Sequence, residues 1–352
     1  MINQLRIILN FEVNEYCYNQ GRIKSFGNPI VYQIELTNDC PMRCIMCPRT
    51  ERMTREVGYM NENLFKKIIK QTAQYSSRIF LHHFGESLLH PKLGEFISYA
   101  KKHKIKTYLS ANPSLLTEKR SKQLVDNGLN ELVLSLDAVN NSTNAAIRGK
   151  AVENFELAEK NILKLLDYRK RVKSKYPKII LQIIKQKNNI EEIPIWIEKW
   201  KANKDIDRLK IKSYITWDGQ DESINSLQVE TLNVNNQIVC DKPWTSVTVL
   251  WDGRIVPCCF DYDGLYVLGD LSKQTVNDIW NNEKMQYLRS CHNNKEQYKL
   301  RLCGKCIDYE GYSVKKWYYP LNRLLFKNNR LGDEHSIGNV IEYETTNINY
   351  KR

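Results

Sequence analysis

Six short apolar runs, alternating with helical patterns, predict an α/β protein built on parallel strands and followed by a small cysteine-rich unit. Three observations carry that reading. The runs are rich in Ile, Leu and Val, as strands covered on both faces must be. Each of the first five is followed by a stretch whose apolar residues recur at helical spacing. Six of the ten cysteines fall between residues 240 and 306, after the alternation has stopped.

Taken in order, residues 1–29 read as an N-terminal extension, a short cap rather than a domain. Their apolar patch is interrupted by Glu12 and Glu15 and lacks the basic start and cleavage site of a signal peptide. The core runs over residues 30–215, with strands expected at Val31–Leu36, Arg78–His83, Ile105–Ser110, Leu132–Leu136, Ile179–Ile184 and Arg208–Lys212. Between them, Asn61–Tyr75 turns Leu64, Phe65, Ile68 and Ile69 to one face, and Leu93–His103 follows. Thr117 reads as an N-cap before Leu124 and Val125, with Gly128 as the stop. Val152–Arg169 carries Phe155, Ile162, Leu163 and Leu166 as a stripe, and Ile193–Ala202 closes the series. Residues 216–239 are polar and irregular and read as a linker. A second unit spans 240–318, and a tail, 319–352, follows the aromatics Trp317, Tyr318 and Tyr319.

Composition narrows the function. The 352 residues are 42% hydrophobic, enough for a large core and about two domains. No apolar run reaches the ~18 residues that a membrane span needs. Ten cysteines without an export signal point to metal ligation in a reducing cytoplasm rather than to disulfides. The net charge of +13 favours acidic partners, but the basic residues are scattered, which argues against a nucleic-acid patch.

The chemistry centres on Cys40, Cys44 and Cys47, spaced C-x3-C-x2-C on the loop after the first strand. Thiolates select zinc, copper(I) or iron–sulfur clusters. A structural zinc site is usually closed by four ligands, whereas a 4Fe–4S cube held by three cysteines leaves one iron open. From the triplet alone a zinc site stays open as an alternative. The spacing resembles the signature of the radical S-adenosylmethionine (radical SAM) enzymes. That resemblance implies a partial (β/α)6 barrel, SAM chelated to the open iron, and its reductive cleavage to a 5′-deoxyadenosyl radical that removes a substrate hydrogen.

The resemblance also assigns SAM contacts. Gly85-Glu86 matches the family's Gly-Gly-Glu-Pro-like turn for the SAM ammonium, although Phe84 and Ser87 replace its flanking Gly and Pro. Asn112, Ser135, Asp137 and Arg148 fall at successive strand ends or just beyond, and Met46 takes the position against adenine. His82 and His83 read as structural. Farther on, Cys240, Gly253, Cys258 and Cys303-Gly-Lys-Cys306 resemble the C-terminal SPASM region in its one-cluster, twitch form. The implied ligands of an auxiliary 4Fe–4S cluster are Cys240, Cys258, Cys303 and Cys306, with spacing selecting Cys258 over Cys259. The same four cysteines also suit a zinc ion. Cys291 is left over and is the candidate hydrogen donor; Cys17 reads as a buried thiol.

Two 4Fe–4S clusters and SAM are thus expected, with a flavodoxin- or ferredoxin-type electron donor and a small-molecule or peptide substrate. The favoured activity is oxidation, or epimerisation, of a sugar- or cyclitol-type alcohol, with the auxiliary cluster accepting an electron. The alternatives are maturation of a ribosomally made peptide and, in another class, a non-catalytic zinc protein binding nucleic acid.

Overall fold

The computed structural model describes residues 2–149, 155–217, 219, 221–229, 239–304, 306 and 340–344. Trp317, Tyr318, Tyr319 and most of the expected tail lie outside the described residues.

All six expected strands form: β1 (Val31–Ile34), β2 (Arg78–Phe80), β3 (Lys106–Ala111), β4 (Glu131–Ser135), β5 (Lys178–Lys185) and β6 (Arg208–Ser213). They pair in sequence order, each parallel to the next. β1 and β2 stop sooner than expected because their C-terminal residues turn away into the site loops. The helices are α1 (Ile2–Asn19), α2 (Glu62–Thr72), α3 (Leu93–Lys102), α4 (Glu118–Asp126), α5 (Asn141–Arg148), α6 (Phe155–Arg171) and α7 (Ile193–Lys201). Local chemistry sets their ends. The Asn61 side chain accepts from Asn63 N–H before α2, and the Thr117 side chain accepts from Arg120 N–H before α4. Beyond α4, Gly128 takes φ +80°, the left-handed stop that glycine adopts at little steric cost.

Beyond β6 come α8 (Glu222–Asn225), α9 (Lys242–Thr245), β7 (Ser246–Val249), β8 (Arg254–Val256), β9 (Gly269–Asp270), α10 (Val276–Trp280), α11 (Glu283–Asn293) and β10 (Val340–Glu344). β7 joins the free edge of β1 in parallel, β8 and β9 follow antiparallel, and β10 lies antiparallel on β6. The sheet order is therefore β10-β6-β5-β4-β3-β2-β1-β7-β8-β9. With β1 and β6 each paired to another strand, the six parallel strands form a barrel that stays open. The cysteine-rich unit extends that same sheet.

One continuous apolar core runs from α2 and α3, where Phe65 and Phe96 stack at 4.1 Å, to Trp196 on α7 and Trp280 on α10. This packing fixes the strands and leaves their C-terminal ends, where ligands bind in parallel α/β sheets, to carry loops.

Candidate active site

The loop after β1 is closed at its base by backbone-directed side chains. Thr37 donates to the Gly58 carbonyl at 2.7 Å, and Asn38 donates to the Glu56 carbonyl at 2.8 Å while accepting from Gly58 N–H at 2.9 Å. Within it, Cys47 N–H donates to the Cys44 carbonyl at 3.1 Å, curling the three thiols into one turn. The turn is docked on the end of α5, where Arg43 and Ile45 N–H donate to the Arg148 and Ile147 carbonyls. Burial pushes the Cys40 and Cys47 thiols up to about 12.

Cys40, Cys44 and Cys47 line a cavity of about 260 Å³ at the strand ends. Met46, Gly85, Glu86, Asn112, Ser135 and Arg148 line the same cavity. Gly85 sits at φ +146°, and a Cβ there would lie 2.1 Å from the Thr37 carbonyl oxygen. Only glycine lets the turn after β2 pass so close to the cysteine loop. Glu86 N–H then donates to the Asp39 carbonyl at 2.7 Å. The Glu86 carboxylate accepts from Leu88 N–H at 2.9 Å and Asn112 N–H at 2.8 Å. Burial nevertheless raises its pKa to about 7. Asn112 caps the turn after β3, its side-chain oxygen accepting from Ser114 N–H and hydroxyl, both at 2.9 Å.

Asp137 does not line the cavity. It is fully buried behind Arg148, accepts from Ile184 N–H at 2.7 Å and forms an ion pair with Arg148. Arg148 in turn reaches Cys44 Sγ at 3.5 Å. Asp137 therefore holds the arginine, and the arginine faces the thiols.

The auxiliary thiols also come together. Cys240, Cys258, Cys303 and Cys306 line one small cavity, and Phe260 lines both it and the larger one. Lys242, 5% exposed, and His292 also line the small one, among prolines and leucines. Burial, and then Lys242, push His292 down to about 4. Cys291 lies elsewhere, 1% exposed in the main core.

A buried ion network ties the two thiol sites together. Arg55, beyond the first cysteine loop, donates to both oxygens of Glu35 at 2.8 and 2.7 Å. His83 Nδ1 lies 3.1 Å from the same carboxylate, and Nε2 lies 3.0 Å from the Cys259 carbonyl. Trp251 N–H donates to Glu35 at 3.2 Å, and Arg55 Nε donates to the Tyr262 carbonyl at 2.7 Å. His82 and His83, read from the sequence as structural, both also line the cavity with the thiols.

Sequence reasoning missed several cavity residues. Trp217, in the segment read as a linker, donates from Nε1 to the Met46 carbonyl at 2.8 Å and packs edge-on against Phe84. Tyr214 and Ile224 pack with it over Met42 and Met46. A lone tryptophan in a polar stretch was the available signal. Gln33, Ser110, Gln182 and Lys212 line the cavity from the strands. They are inward-facing polar positions that period-two alternation could have marked.

The sequence profile of the radical SAM superfamily matches residues 34–191, and that of the SPASM iron–sulfur cluster-binding domain matches residues 240–307. This chain is a radical SAM enzyme with a SPASM domain. Among similar proteins is the tungsten-containing aldehyde ferredoxin oxidoreductase cofactor-modifying protein of Pyrococcus furiosus, 25% identical over 78% of this chain and 86% of that one. Another is the S-adenosyl-L-methionine-dependent 2-deoxy-scyllo-inosamine dehydrogenase of Niallia circulans, 22% identical over 82% and 97%. Among solved structures, BtrN in complex with AdoMet and 2-DOIA shares the fold with a TM-score of 0.55 and 19% identity, covering 82% of this chain and 95% of that one. Streptococcus suis SuiB bound to its precursor peptide SuiA aligns with a TM-score of 0.58 and 16% identity, covering 89% and 78%.

The cofactors of this radical SAM enzyme are SAM and 4Fe–4S clusters. The residues present fit them. Three thiols line the cavity that also holds the SAM candidates, as a cluster with one open iron needs, and four line the second cavity. A buried lysine beside four thiols suits a centre whose thiolates leave it negative. No helix among the described residues is long and apolar enough to cross a membrane.

Proposed function

We propose that this enzyme abstracts a hydrogen atom from a hydroxyl-bearing carbon of a small polar substrate of the sugar or cyclitol class, leading to oxidation or epimerisation there. When bound, the clusters and SAM supply the abstracting radical and a one-electron relay. The chain's own residues do the rest. Cys40, Cys44 and Cys47 hold the SAM-binding cluster. Glu86 receives the SAM ammonium as a charge-assisted hydrogen bond, and Gly85 gives the ligand access to the backbone. Arg148, oriented by Asp137, pairs with the SAM carboxylate; Asn112 and Ser135 offer hydrogen bonds to the remainder, and Met46 packs against adenine. Cys240, Cys258, Cys303 and Cys306 hold a single auxiliary cluster.

One observation carries this reading: the three thiols and six of the seven SAM candidates line the same cavity. Gln33, His82, Ser110, Gln182 and Lys212 stand in its wall among apolar residues such as Phe80, Ile184 and Trp217, and offer hydrogen bonds to a hydroxylated ligand. The 2-deoxy-scyllo-inosamine dehydrogenase of Niallia circulans, which acts on a cyclitol amine, supports the class. A low-potential protein of the flavodoxin or ferredoxin type would supply electrons. The test is an anaerobic assay of 5′-deoxyadenosine with pooled inositols, aminocyclitols and hexoses. Substrate-dependent 5′-deoxyadenosine supports the proposal; dependence only on added peptides would favour peptide maturation instead.

A further inference from the structure

Cys258 and Cys259 are neighbours in the chain but line different cavities. Cys258 lines the auxiliary cavity, and Cys259 lines the larger one with the SAM candidates. Phe260 lines both, so this turn after β8 is the partition between them. The partition is clamped by His83, whose Nε2 lies 3.0 Å from the Cys259 carbonyl. Three cysteines stand outside the two ligand sets. Cys17 is fully buried on α1 and accepts from Phe26 N–H at 3.4 Å, and Cys291 is buried in the core. Cys259 alone of the three lines the cavity.

We propose that Cys259 is a catalytic residue that returns a hydrogen atom to the substrate radical, so that the net reaction is inversion at the attacked carbon. This deepens the proposed function and rests on its abstraction step. The SAM candidates reach the cavity from the cysteine loop, the ends of β2 to β4 and α5, whereas Cys259 enters from the β8 loop. Hydrogen taken from one face of the carbon and returned by this thiol to the opposite face changes configuration. An S–H bond is weaker than the C–H bond it makes, so the transfer runs downhill. In that step the S–H bond breaks homolytically and the substrate C–H bond forms, leaving a thiyl radical. One electron from the low-potential protein donor and one proton from solvent restore the thiol. Each turnover thus consumes one SAM, two electrons and one proton, and leaves the substrate's oxidation state unchanged.

The test has three arms. In the purified wild-type chain, iodoacetamide labelling read by peptide mass spectrometry should modify Cys259 and spare buried Cys17 and Cys291. In D2O without substrate, uncoupled SAM cleavage should place solvent deuterium in 5′-deoxyadenosine, and Cys259→Ser should lose that label. With the inositol, aminocyclitol and hexose pool in D2O, the wild type should give an epimer deuterated at the inverted carbon. In Cys259→Ser the epimer should vanish and the ratio of 5′-deoxyadenosine to product should rise. A ketone formed equally by both proteins would overturn the thiol's role while upholding the substrate class. A Cys259-dependent label with no pool member turned over would uphold the thiol and sink the substrate class. Equal deuterium in 5′-deoxyadenosine from both proteins, with the same product, would overturn the inference.

Discussion

Replacing Glu35 by Gln should destabilise the whole chain, because this carboxylate holds both cluster loops to the barrel. It is fully buried and takes two hydrogen bonds from Arg55, one from Trp251 N–H and the contact with His83. The replacing amide would keep the shape but turn an NH2 group toward the guanidinium and leave its charge unbalanced. Removing one partner of a buried ion pair costs about 3–5 kcal/mol, against ~5–15 kcal/mol for a typical whole fold. Denaturant unfolding of the ligand-free protein, under reducing anaerobic conditions, measures this directly. The pH dependence follows with a definite sign. Burial alone would raise the Glu35 pKa, but hydrogen bonds from His83 and Arg55 outweigh it and hold the value below 4.5. Its contribution is therefore complete above about 4.5 and disappears as pH falls through the lower folded value. E35Q should lose that acid-dependent component. A variant within ~1 kcal/mol of wild type, with unchanged acid sensitivity, would refute the reasoning.

Three further outcomes are expected. Gly85→Ala should cost about 2–5 kcal/mol, combining strain at positive φ with overpacking against Thr37, and should weaken SAM binding; an unfolding midpoint and SAM affinity equal to wild type would contradict the close approach. SAM affinity of the reconstituted enzyme should fall as pH drops below 7, where Glu86 takes a proton; a flat profile by equilibrium dialysis would remove Glu86 from the ammonium site. In the ligand-free protein the same raised value means that Glu86 destabilises the fold increasingly as pH rises from about 4.5 toward 7. Lys242→Gln should lower the auxiliary cluster's reduction potential, since the lost cation favours the more negative reduced state; an unshifted redox titration would place the lysine charge elsewhere.

Much of the fold was legible because its strands are buried on both faces and its helices are amphipathic. Where those rules relax, the sequence misleads. The buried face of α1 carries Asn10 and Asn14, which bind the Asn28 carbonyl, while Leu5 and Leu9 are exposed. Polar and apolar residues thus share the buried face with Ile7 and Phe11, which blurs the helical pattern in a segment read as a short cap. Leu163 was counted in the α6 stripe, yet it is 51% exposed, and Leu165 and Ala158 fill the buried face beside Ile162 and Leu166. α5 is polar apart from Ile147 and its alanines, and its helical form depends on the Asn140 cap and on docking to the cysteine loop. The candidate site was more legible than its wall. Cysteine spacing is a local property, whereas Trp217, Lys212 and Cys259 reach the cavity only through tertiary folding. Asp137 shows the same limit: its type and position match a ligand contact, but the third dimension places Arg148 in front of it.

The most direct test is an anaerobic count of iron and sulfide, with SAM cleavage, in the reconstituted wild type and in a variant with Cys40, Cys44 and Cys47 all changed to Ala. The account predicts about eight irons per chain in the wild type, about four in the variant, and no 5′-deoxyadenosine from the variant. Zinc in place of iron, or cleavage that survives the triple substitution, would contradict it.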